Sequence, residues 1–104
     1  MQKKTIIKKI KAIILNYGTF GLGEVEGADG ICVNEMGNYV ALAEGFNLDF
    51  VEINVYQPCG FSSDPVDDYE LKYEDLSKET LEQILFVADL YETDQEKTVK
   101  RASN

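Results

Sequence analysis

Phe50-Val51-Glu52-Ile53-Asn54-Val55-Tyr56 is the stretch on which the architecture turns. Val51, Ile53 and Val55 alternate there with Glu52, Asn54 and Tyr56, the period-two pattern of a strand with one buried and one wet face. A sheet with one solvated face is normally antiparallel and covered on one side only, because parallel sheets are buried on both. Val51, Ile53 and Val55 are therefore predicted to face the core.

Working back from this strand, Tyr39-Val40-Ala41-Leu42-Ala43-Glu44 reads as a second strand, set off by a Met36-Gly37-Asn38 turn. Ile31 to Asn34 reads as a short extended piece and Thr19 to Val25 as a first strand. Before these, isoleucines at 6, 7, 10, 13 and 14 line one face of a helix over Lys3 to Leu15, with lysines mostly opposite, and Gly18 stands where a left-handed C-cap is wanted. In the other direction, Gln57 to Asp68 holds both prolines, Pro58 and Pro65, and reads as a loop. Ser77 then opens a last helix as its N-cap, with Leu76 and Leu81 as a hydrophobic staple. Leu81, Ile84, Leu85, Ala88 and Tyr91 form that helix's apolar stripe. The expectation is one α+β domain over 1–104: an N-terminal helix, a three- to four-stranded antiparallel meander and a C-terminal helix, with 97–104 as a frayed tail.

Charge is distributed unevenly along the 104 residues, whose net charge is −9. Residues 1–11 carry five lysines and no acid, whereas residues 12–71 carry eleven acids and no base. A purely acidic block repels nucleic acid and anionic lipid and attracts basic proteins. No apolar run approaches the roughly 20 residues needed to cross a bilayer, and Lys8, Lys9 and Lys11 interrupt the place where a secretory signal would need its apolar core. A cytoplasmic protein is expected, with no membrane contact and no direct nucleic-acid contact. Cys32 and Cys59, the two cysteines, read as ordinary reduced thiols.

Catalytic chemistry finds little support. The chain has no histidine, which removes Ser-His-Asp and Cys-His catalysis and every zinc site that uses imidazole. Gly21-Leu22-Gly23 is followed by Gly27, one residue too far for a dinucleotide loop, with Glu24 and Glu26 where phosphates would sit. Asp64, Asp67, Asp68 and Glu70 form the densest acidic cluster, but Pro65 and Val66 occupy positions where a calcium loop needs ligands. Neither a cofactor nor a metal is expected.

Three stretches, Gly18 to Gly27, Cys32-Val33-Asn34 to Gly45-Phe46, and Tyr73-Glu74-Asp75-Leu76-Ser77 through Leu85, together resemble small uncharacterised acidic proteins carried on bacterial phages and mobile elements. That resemblance implies no activity and no residue roles. Size, acidity and element order are also similar to those of some phage-borne inhibitors of host nucleases, a likeness of fold alone.

The residues thus point to a non-enzymatic protein-binding module with a basic protein as partner. In one form it is an acidic inhibitor or nucleic-acid mimic, whose carboxylates take the place of phosphates in a basic groove. The candidate residues are Glu24, Glu26, Glu44 and Glu52, expected on one outward sheet face with Tyr56, and Asp64, Asp67 and Asp68 extending the row. A second form is an interaction domain that binds through a sheet edge or a tyrosine patch, with Tyr39, Tyr56, Tyr69 and Tyr73 as anchors. A reading of another class, a metal-assisted hydrolase on Asp64, Asp67 and Asp68, would require tight Mg²⁺ or Mn²⁺ binding.

Overall fold

The computed structural model describes residues 1–57 and 64–102, with side chains through Thr98. Helix α1 (Lys3–Tyr17) leads into strands β1 (Phe20–Gly21), β2 (Ile31–Met36), β3 (Tyr39–Phe46), β4 (Val51–Tyr56) and β5 (Asp67–Leu71), and helix α2 (Lys78–Ala102) closes the chain. A short 3-10 turn at Leu22–Glu24 follows β1 on the way to β2, and another at Tyr73–Asp75 leads from β5 to α2.

All strand pairings are antiparallel. β2, β3, β4 and β5 follow one another as a meander, and β1 pairs beside β2 on the same edge of the long β3. β5 thus forms one edge of the sheet, and β1 and β2 together form the other. Both helices lie on one face of this sheet, where Ile31, Ala41, Ala43, Phe46, Val51 and Ile53 are buried. From α1 the core receives Ile6, Ile10, Ile13 and Ile14, and from α2 Leu81, Ile84, Val87, Ala88 and Tyr91. The end of α1 is tied to α2: the Tyr91 hydroxyl donates to the Tyr17 carbonyl at 2.9 Å, and the Tyr17 hydroxyl to Glu96 at 3.2 Å.

The helix ends follow local chemistry. Ser77 Oγ accepts the Thr80 N–H at 3.2 Å, satisfying one of the free donors of the first turn of α2. Gly18 closes α1 by donating its N–H to the Ile14 carbonyl at 2.7 Å. Its φ of +96° is one only glycine adopts readily, but ψ of 171° makes it an extended exit and not the left-handed cap expected. The last helix runs through Ala102. Gln95, Glu96 and Lys97 are strong helix formers, and the Tyr17–Glu96 hydrogen bond ties this part to α1.

Two strand expectations are corrected. Thr19 to Val25 yields only the two-residue β1, because the chain turns at Leu22–Glu24. β5 lies partly inside the stretch read as a loop, and its Asp67-Asp68-Tyr69-Glu70-Leu71 sequence carries acids that are poor strand formers and no buried alternation. Pairing with β4 holds it. Pro58, Cys59 and Gly60 of the expected loop lie outside the described residues. Among the described residues no helix is long and apolar enough to cross a membrane.

Candidate functional site: the open face of the sheet

Period-two alternation and strand register decide which side chains point away from the helices. Glu52 pairs with Glu70, Asn54 with Leu42 on one side and Asp68 on the other, and Val40 with Tyr56 and Glu35. These residues share the face opposite Val51 and Ile53, and all are exposed or half-buried.

The position of Glu44 depends on an irregularity. Register shifts between Ala43 and Gly45, so that Glu44 is an extra residue in β3, a β-bulge. It lets Ala43 and Phe46 both enter the core while Glu44 stays on the open face. There Glu44 accepts hydrogen bonds from the Tyr56 hydroxyl and, at 3.0 Å, from Asn54 Nδ2. Gly45 is needed because Glu52 lies across it: a Cβ at 45 would come within 2.5 Å of Glu52 Oε2 and 3.0 Å of Glu52 Cβ. Glu24, Glu44 and Glu52 then line one shallow cleft of about 230 Å³.

The remaining sequence candidates are placed as follows. Glu26 is exposed in the turn after the first 3-10 segment and is not on the sheet. Asp64 is exposed and near enough to Tyr56 to act on its ionisation. Asp67 pairs with Val55 and so lies on the helix-side face, its carboxylate accepting the Asp68 N–H at 2.9 Å. Asp67 and Asp68 therefore face opposite ways. Among the described residues no three His, Cys, Asp or Glu side chains are grouped as metal ligands. Tyr73 is no surface anchor: it is fully buried, with its hydroxyl donating to the Asn47 carbonyl at 2.6 Å. Glu35 and Glu70 were missed because the first lies beyond the expected end of β2 and the second on an unrecognised strand.

Two lysines are held away from this face. Lys11 pairs with Glu74 at 3.9 Å, and Lys3 donates to the Glu74 carbonyl at 3.1 Å, both on the helix side. No lysine or arginine occurs in any of the five strands. Cys32, an exposed free thiol, has its pKa raised by partial desolvation and by the nearby Glu35, the opposite of what a reactive thiolate needs.

The hydrogen bond to Glu44, followed by partial burial, pushes the Tyr56 phenol from 10.0 up to about 12. A pKa raised on folding contributes stability that is complete below the unfolded value and is lost as pH rises through the folded one, here between 10.0 and about 12. Alkaline titration of the phenolate absorbance should show one late-ionising tyrosine missing in Tyr56→Phe. A missing component that titrates at the ordinary tyrosine value would show that Glu44 does not hold the phenol.

No protein-family model, curated protein or solved structure matches the chain.

Proposed function

We propose that this protein is a non-enzymatic binding module whose open sheet face engages a basic surface on a partner protein. One observation carries the reading: Glu35, Glu44, Glu52, Asp68 and Glu70 share a face to which none of the five strands contributes a lysine or arginine, Lys72 lying just beyond the end of β5. Neighbouring strands lie about 4.8 Å apart and same-face residues about 6.8 Å apart along a strand. These separations are below the screening length of about 8 Å at physiological salt, so the carboxylates act as one field. Such a field accelerates encounter with a basic surface and rejects acidic ones.

Nucleic-acid mimicry is the narrower form of this proposal. Four strands span about 14 Å, a length over which duplex DNA displays about eight phosphates. The five carboxylates fall short of that density, so a basic protein surface in general is favoured over a groove shaped for the duplex.

Affinity capture at low and at high salt tests the proposal, with the triple variant Glu52→Lys, Asp68→Lys, Glu70→Lys as control. All three positions are exposed, so the variant should fold. The wild type should retain a basic protein at low salt and release it at high salt, and the variant should bind at least about tenfold more weakly. Retention of the same partner by the variant would exclude the open face. Release of that partner by added duplex DNA would select the mimic.

A further inference from the structure

On the other face of the sheet, beyond the reach of both helices, Met36, Tyr39, Val66 and Tyr69 ring a groove of about 510 Å³ floored by Ala41 and Val55. No residue of α1 or α2 lines it. The four ring residues are 72%, 47%, 55% and 37% exposed, and they are four of the seven large apolar side chains left exposed among the described residues. Such gathering of apolar surface marks contact sites, whereas single exposed side chains do not. The volume is that of a pocket for a small molecule or a few side chains.

Charge around the groove selects its occupant. Asp67 stands on the rim, and Glu35 and Asp68 project from the same strands on the opposite face. No base lies within residues 12–71, which supply every lining residue. A second copy docked groove to groove would bring Asp67 against Asp67, and like charges so placed are destabilising. A segment that presents an aliphatic or aromatic side chain between lysines or arginines complements both groove and rim. The groove opens at the hairpin end of the sheet, where Glu35 and Tyr56 occupy the other face, so one basic partner could span both.

We propose that this groove anchors an apolar side chain of a basic partner segment, an inference that rests on the open-face reading and adds the partner's apolar element to it. The test uses three synthetic peptides of equal length, alternating lysine–leucine, lysine–serine and glycine–leucine, titrated into the isotopically labelled full chain. The lysine–leucine peptide should bind about tenfold more tightly than either of the others, with amide shifts at Tyr39, Val55 and Tyr69. The variant Met36→Ser, Val66→Ser, altered only at exposed positions, should lower that affinity to the lysine–serine level. Equal affinity for the lysine–leucine and lysine–serine peptides, or no binding of the former, overturns the proposal. Equal binding of glycine–leucine overturns it too, because basic flanks would then be irrelevant. A dimer in sedimentation that the double variant dissolves would make a second copy the occupant and overturn it as well. The open-face reading fails separately, if lysine–serine produces no salt-sensitive shifts at Glu44, Glu52 and Glu70.

Discussion

Phe46→Ala should lower unfolding free energy by about 3–5 kcal/mol, the largest loss expected from any single replacement in the sheet. Phe46 is fully buried, and its ring lies 5.0 Å from that of Phe20 at 39°. Phe20 in turn stacks on Tyr91 at 4.3 Å and 16°. One aromatic column thus joins β3, β1 and α2, adding pairwise ring contact to the burial itself. The bulge at Glu44 puts Phe46 there, so the column and the acidic face share one cause. Urea unfolding measures the effect. A loss below about 1 kcal/mol would place the ring outside the cooperative core, and Phe46→Leu, which keeps an apolar side chain, should cost less than Phe46→Ala.

Leu81→Ala and Ile84→Ala should each cost about 2–4 kcal/mol. Both side chains are fully buried on the stripe by which α2 meets α1 and the sheet. They stand three residues apart on one helix face and line the same core, so the double variant should depart from the sum of the single losses. Unchanged denaturant midpoints in the single variants would detach this helix from the core.

How much of this was legible in the sequence differs from element to element. The isoleucine spacing of α1, the alternation of β4 and the Ser77 cap of α2 are written in residues close together in the chain, and the structure follows them. β5 was not legible, because an exposed outer strand needs only one pairing partner and shows no buried alternation. Its absence from the reading hid Glu70 and left the opposed directions of Asp67 and Asp68 unforeseen. Tyr73 was offered as a surface tyrosine because a single 3-10 turn has no periodicity from which burial could be read. The outward grouping of Glu44 with Glu52 was expected from alternation. The bulge and the close packing of Glu52 on Gly45 that produce it are long-range facts, and no local pattern carries them.

β5 has a meaning beyond the contacts it makes. An outer strand is where further chains add to a sheet, and unchecked addition leads to fibrils. Three of the five residues of β5 are acids, so a second copy pairing along it would bring carboxylates into register against carboxylates. β2, which shares the opposite edge with β1, carries its own irregularity between Cys32 and Asn34, which breaks the straight ladder a recruit would need. The same negative charge that carries the proposed binding to a basic surface therefore also opposes growth of the sheet, and a replacement that neutralised β5 would be expected to turn a terminated sheet into a template for aggregation.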